Sequence, residues 1–345
     1  MSATGPELSQ MAREAAEAPR RAALQRERNR NALREAARRI RALDPPFAIT
    51  IARGSSDHAA SFAKHLFETR LGIPTVSQAP SLATLFKATS PRLKGTLALA
   101  ISQSGRSPDL IETAAAARAA GATVIAMVND ETSPLAQEAD ILLPLHAGEE
   151  CSVAATKSFV ASLVAVADLV CAVKADDGLA KALDEIEPVL ARAWTCDWSA
   201  ALAPLSAIDR LLVLGRGCTL PIAGEAALKF KEVARIHAEA FSSAEVAHGP
   251  MALIGEGDPV FAFAPADAAR DSFVERLGSL RERGAHILSA GSAHTCSLPT
   301  IRASDPAVEA IGMILSFYRL VEALAHRRGL DPDHPPHLSK VTRTR

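Results

Sequence analysis

Residues 97–120 read LALAISQSGRSPDLIETAAAARAA, and they decide the fold. The apolar run 97–101 has the length of a strand buried on both faces. The loop 102–107 (SQSGRS) leaves it, and Pro108 and Asp109 open a helix that Gly121 closes. Strand, small-residue loop, helix is half of a βαβ unit, and residues 123–128 (TVIAMV) supply the next strand. A helix start presents unpaired N–H groups and the positive end of the helix dipole, so hydroxyl-rich residues at this point make an anion site. The bland reading is N-capping by Ser107 before Pro108, but three serines, a glutamine and a glycine exceed what a cap requires.

The same grammar extends in both directions. Upstream, residues 8–43 read as helix interrupted at Pro19 and stopped by Asp44-Pro45-Pro46. Residues 47–52 (FAITIA) then form a strand, Gly54-Ser55-Ser56 a turn and 57–71 a helix, so Ser55 and Ser56 open on the same crevice as the serine loop. Downstream come a short strand at 141–145 and an apolar helix at about 152–173. After a helical linker, 177–198, residues 211–214 (LLVL) and Gly215-Arg216-Gly217 echo FAITIA and Arg53-Gly54-Ser55. A helix at 221–237, a strand at 260–263, a helix at 268–283, a strand at 285–289 and a helix at 308–326 complete a second copy. The expectation is an α/β protein with two flavodoxin-like lobes, each a parallel sheet covered by helices on both faces. Its segments are 1–45 (helical), 46–176 (first lobe, phosphate-binding), 177–330 (linker helix and second lobe) and 331–345 (a tail closing the site). The second lobe has Ala264-Pro265-Ala266-Asp267 where the first has its serine loop. Proline lacks a donor and aspartate repels an anion, so only the first lobe is expected to hold phosphate.

Composition narrows the function. The 345 residues suit two domains, and a 4% aromatic content means cores of Ala, Leu, Val and Ile. With 38 basic and 39 acidic residues there is no long-range field for nucleic acid or an anionic membrane, so neither is expected as a partner. The basic stretch 20–41 reads as a solvated helix face rather than an RNA-binding arm. The five cysteines have no paired or metal-ligand spacing, which predicts a reduced, cytoplasmic protein without a metal. Residues 1–19 carry no apolar leader, and no run approaches about 18 uninterrupted apolar residues.

Glu225, Lys229 and Glu232 share one helical face, which reads either as a surface ion-pair ladder or as a site on a helix flanked by Ala226, Ala227, Leu228 and Val233. His237, within the helical pattern, is structural or functional with equal weight, whereas His248, before Gly249-Pro250, sits on a turn suited to acid/base work. In the tail, His334 and His337 make no defined metal site. Lys340, on a segment able to fold over a pocket, is suited to pairing with a sugar oxygen or forming a Schiff base.

Taken together, ARGSS (52–56), ISQSGRSPD (101–109), EECSVAATKSF (149–159), LGRGCTLPIAGEAALKFKEVARIHAEAF (214–241) and AEVAHGPMALI (244–254) resemble the sugar-isomerase (SIS) family. The likeness is to the isomerase half of glucosamine-6-phosphate synthase (glutamine:fructose-6-phosphate amidotransferase), in the family's motif order. It implies a homodimer with its active site at the subunit interface and no cofactor. It implies sugar-phosphate ligands at Ser56, Ser102, Gln103, Ser104 and Ser107, with Ser55 and the Val153 backbone beside them. Glu232 becomes the base moving a proton between C1 and C2, supported by Lys229 and Glu225; His248 from the partner opens the ring, and Lys340 meets the open-chain carbonyl. Arg106 replaces an acidic residue of the synthase loop, and Cys151 is a further departure. The synthase carries a glutaminase domain with a catalytic cysteine, whereas residues 1–45 are helical and cysteine-free. The expected relatives are therefore the SIS-type glucosamine-6-phosphate deaminases, which release ammonia and give fructose 6-phosphate; the ending HLSKVT agrees. Alternatives are an ammonia-dependent or partner-dependent synthase, a fructosamine-phosphate deglycase, a galactosamine-phosphate deaminase and a non-catalytic sugar-phosphate sensor.

Overall fold

The computed structural model describes residues 8–88, 90–292 and 296–340. The last two residues of the HLSKVT ending lie outside them. The first lobe is a sheet of β1 (Ala48–Ile51), β2 (Thr75–Ser77), β3 (Leu97–Ser102), β4 (Thr123–Val128) and β5 (Ile141–Leu142), in the order β2-β1-β3-β4-β5. The second contains β6 (Arg210–Gly215), β7 (His237–Ser242), β8 (Pro259–Phe263), β9 (His286–Gly291) and β10 (Leu298–Pro299), in the order β10-β9-β8-β6-β7. Every pairing is parallel, and the second order is the first repeated. The expected duplicated flavodoxin-like topology is therefore present. In each sheet the chain reverses direction beside its first strand, which opens a crevice at the carboxyl ends of β1 and β3, and of β6 and β8.

The central strands β1, β3, β4, β6 and β8 are mostly apolar because helices cover both faces; β3 is buried at all six positions. One core runs through both lobes, joining Phe62 and Ala63 of the helix Ser55–Leu66 to Ala226 and Phe230 of the helix Thr219–Ala234. The ring of Phe230 meets Phe261 and Phe317 edge-on, at centroid distances of 5.7 and 4.9 Å.

The structure departs from the sequence reading at three points. The helix expected over 221–237 stops at Ala234. Arg235 takes a left-handed conformation (φ 54°), and His237 begins β7 beside Arg210. The stop carried no glycine, so nothing in the sequence marked it. The short β2 and β10 were not foreseen, since two or three residues cannot show a period. The apolar helix starts at Lys157 rather than about 152, because the buried Glu150 carboxylate accepts from the Thr156 and Ser158 amides (3.0 and 3.1 Å) and fixes the preceding loop. The helix Ala18–Leu43 has the expected solvated basic face and a buried face opposite it. It buries Ala22, Leu33, Ala36 and Ile40, and its buried Gln25 and Asn29 donate to the carbonyls of Ala161 and Pro144 (3.0 and 2.7 Å).

Candidate active site

The crevice between β1 and β3 holds a cavity of about 320 Å³, within the range of small-molecule sites. Its floor is the serine loop. Ser102 Oγ accepts from the Gly105 amide (3.1 Å) and Ser104 Oγ from the Arg106 amide (3.2 Å), so the loop is folded by its own hydroxyls. Gly105 is required twice over: its φ is +62°, and a Cβ there would lie 2.2 Å from Ser133 Oγ. Ser107 occupies the N-cap of the helix Pro108–Ala119, but its hydroxyl makes no capping bond. The bland reading thus leaves that side chain unexplained, and Ser107 lines the cavity with Ser102, Gln103 and Ser104. Ser55 and Ser56, on the first turn after Gly54, line the same cavity with Val153.

The opposite wall comes from the second lobe. The helix Thr219–Ala234 presents Glu225, Lys229 and Glu232 together, and this is no surface ladder: Glu225 and Lys229 are 0% and 1% exposed. Lys229 Nζ donates to Glu232 Oε2 at 2.6 Å and to Ser55 Oγ at 3.0 Å, and lies 3.3 Å from Glu225 Oε1. Ser55 and Tyr318 hydroxyls donate to Glu225 Oε1 (3.1 and 3.0 Å), while Glu225 Oε2 is buried with no hydrogen-bond partner among the described residues. One ammonium therefore faces two carboxylates, and the nearer is Glu232. Glu225 is the surplus acid. Burial pushes its carboxyl up to about 7 against the pull of Lys229, whereas the two carboxylates hold Lys229 firmly protonated despite burial. Lys229 and Glu232 both line the cavity, and Glu232 is the more open of the two, at 21% exposure against 1%.

The tail forms the third wall. Asp333 accepts from the amides of Gln10 and Met11, both at 2.7 Å, which fixes it to the N-terminus of the helix Gln10–Ala16. Seven residues on, Lys340 Nζ donates to Glu150 Oε2 (3.0 Å) and the Ser152 carbonyl (2.7 Å) beside Val153. Burial alone would raise the Glu150 carboxyl, but Lys340 and the Ser158 and Thr156 donors outweigh it and keep it ionised. His334 pairs with Asp331 on the surface, and His337 adopts φ 66°.

Of the side chains expected at the site, all but His248 line this one cavity or, for Glu225, stand directly behind it. His248 ends the exposed turn Glu245–His248 and does not line the cavity; His237 is exposed on β7. Four contributors were missed. Arg53 lines the cavity and is held by the buried Asp109 at 3.0 Å. Glu150 is the counter-ion of Lys340, and Tyr318, the sole tyrosine, donates to Glu225. Glu14 accepts from the Cys151 and Ser152 amides (2.6 and 3.2 Å), tying the first helix to the loop of Val153. Arg53, next to Gly54, was legible as a cation at a strand end; the others act across long sequence distances and carry no local signal.

Two α/β lobes of like topology, with a hydroxyl-lined crevice in the first faced by a carboxylate–lysine wall from the second, define the class of duplicated parallel α/β folds. The chain belongs to the SIS domain family, whose profile matches residues 47–172 and 205–293. It is 35% identical over 301 residues to glutamine–fructose-6-phosphate aminotransferase [isomerizing] of Methanothermobacter thermautotrophicus, covering 84% of this chain and 50% of that protein. It is also 35% identical, over 308 residues, to the protein of that name from Bradyrhizobium diazoefficiens (83% and 50% covered). The chain thus spans about half the length of these relatives. Among solved structures, a provisionally named phosphosugar isomerase of Silicibacter pomeroyi superposes with a TM-score of 0.89 at 39% identity, covering 94% of this chain and all of that one. The C-terminal domain of glucosamine-fructose-6-phosphate aminotransferase from Francisella tularensis gives 0.82 at 25% identity, covering 97% and 100%. Glucosamine-6-phosphate deaminase of Thermotoga maritima shares the fold (0.76, 21% identity, 97% and 100% covered). Among the described residues no helix is long and apolar enough to cross a membrane.

Proposed function

We propose that the chain is an aldose–ketose isomerase that also acts as a deaminase, converting glucosamine 6-phosphate and water to fructose 6-phosphate and ammonia. The observation that carries this reading is a partly exposed carboxylate, Glu232, held 2.6 Å from a buried ammonium in the same cavity as the serine loop. Aldose–ketose exchange needs an anchor for the phosphate and one base able to reach two adjacent carbons. In this reading Ser56, Ser102, Gln103, Ser104 and Ser107 hold the phosphate, with Ser55 and the Val153 backbone beside them. Glu232 takes the C2 proton of the open-chain amino sugar and returns it to C1; the C–N bond at C2 becomes an imine, which water hydrolyses. Lys229 holds Glu232 in place through its 2.6 Å hydrogen bond, and Glu225 supports Lys229. Lys340, carried in by the tail, meets the open-chain carbonyl oxygen. The ring is opened by the partner subunit's His248, which makes a homodimer the working unit.

The names of the curated relatives favour a second reading, the same chemistry run toward the amino sugar with ammonia supplied. One experiment separates these readings. Purified protein is offered glucosamine, galactosamine and fructosamine phosphates in turn, and separately fructose 6-phosphate with ammonia; ammonia, ketose phosphate, amino sugar phosphate and ligand binding are measured. We expect ammonia from glucosamine 6-phosphate, falling about 10²-fold or more in Glu232→Gln. Release only from another phosphate moves the assignment to that substrate, synthesis without release favours the second reading, and tight binding without turnover makes the protein a sensor.

A further inference from the structure

The second lobe has a cleft where the first holds its serine loop. Arg216-Gly217-Cys218 follows β6 as Arg53-Gly54-Ser55 follows β1, and Asp267 follows β8 in the place that Gly105 takes after β3. The facing wall is again a helix of the other lobe, Ser55–Leu66, continued as Phe67–Leu71. The resulting cavity, about 410 Å³, is the pseudo-symmetric counterpart of the sugar-phosphate pocket with different chemistry.

In it, His65, Cys218 and Asp267 each offer one ligand atom, and the three atoms lie within 4.8 Å of one another. Cys218 is buried and the other two are half-buried. The carboxylate is fixed, since Asp267 Oδ1 accepts from the Ala269 amide at 2.9 Å. Its Oδ2 stands where a Cβ on Gly217 (φ +58°) would come within 2.8 Å, so only glycine admits it. Arg70 also lines the cavity, but its charge is met by Asp176 (2.9 Å) and Asp305 (2.8 Å).

We infer that His65, Cys218 and Asp267 form a site for a soft divalent cation of the zinc type. Nitrogen, sulfur and oxygen in one cluster is a zinc-like donor set, and thiolate with carboxylate supplies the two negative charges the ion needs. Ligands about 2.0 to 2.3 Å from zinc sit about 3.3 to 3.8 Å apart, so small side-chain rotations close the cluster. Binding transfers the thiol proton to solvent. Three protein ligands leave a fourth position toward the cavity, where Arg216 favours an anionic occupant. An ion here links the lobes, because His65 belongs to the first and the other two ligands to the second. The cluster is invisible to sequence spacing, since its members come from three distant segments.

The test is titration of the metal-free full chain with zinc by calorimetry, and with cobalt(II) by absorption spectroscopy. The expected result is about one ion per chain and a cobalt–thiolate charge-transfer band. Cys218→Ser should abolish the band, Cys218→Ser and His65→Gln should each weaken binding about tenfold or more, and Cys151→Ser should change neither. Circular dichroism establishes that each variant is folded, and His65→Gln stands as the second test should Cys218→Ser not fold. Failure of the folded parent chain to take up zinc overturns the inference, as does unchanged binding in both ligand variants or a band lost in Cys151→Ser instead. No sugar is used, so the outcome is independent of the proposed isomerase activity.

Discussion

Glu225 shows how far a residue's chemistry depends on what folding places around it. Its spacing from Lys229 and Glu232 put the three on one helical face, and that much was legible. Its complete burial was not, because Tyr318 and Ser55 reach it from 93 and 170 residues away. With its carboxyl raised to about 7 from an ordinary 4.5, the folded protein binds more protons than the unfolded chain between those values. Stability supplied by this group is therefore present at low pH and lost as pH rises through that window. Glu225→Gln cannot ionise, so its melting temperature relative to the parent should rise from pH 5 to pH 8. A constant difference across that range would show that Glu225 does not titrate there.

Elements position the site more than individual residues do. The apolar runs and their following loops announced β1, β3, β4, β6, β8 and β9, because strands buried on both faces leave an unambiguous trace. Of the edge strands, β5 was announced by the apolar run 141–145, whereas β2, β7 and β10 left almost no trace. The tail is the case where sequence reasoning was least equipped: rich in proline and charge, it resembles a disordered end, yet Asp333 at the first helix and Lys340 on Glu150 hold it across the cavity. If this closure presents Lys340 to the substrate, Glu150→Gln should lower kcat about tenfold or more with little change in KM, because the serine loop is untouched. Hydrogen exchange at residues 336–340 should quicken in parallel. An unchanged kcat with a freed tail would remove Lys340 from the mechanism.

At the scale of the whole molecule, duplication explains why two like lobes diverged. The first kept a hydroxyl loop and the second contributes Glu225, Lys229 and Glu232, so the cavity needs both. His248 alone stands apart, exposed and outside the cavity. If a second copy of the chain brings it in, Glu232→Gln and His248→Ala, each inactive alone, should complement when unfolded and refolded together. Half the dimers would then be mixed with one intact site, restoring about a quarter of parental activity. No recovery from mixed dimers would place His248 in its own subunit's chemistry or outside it.

The central claim is that Glu232 moves a proton between adjacent carbons of a phosphorylated sugar, and it is tested most directly in deuterium oxide. Proton NMR of fructose 6-phosphate or glucosamine 6-phosphate incubated with the protein reads solvent exchange at C1 and C2, whichever direction the net reaction takes. The account predicts deuterium at those carbons with the parent chain and none above background with Glu232→Gln, while the sugar phosphate still binds. Absence of exchange in the parent, or equal exchange in the variant, would contradict it.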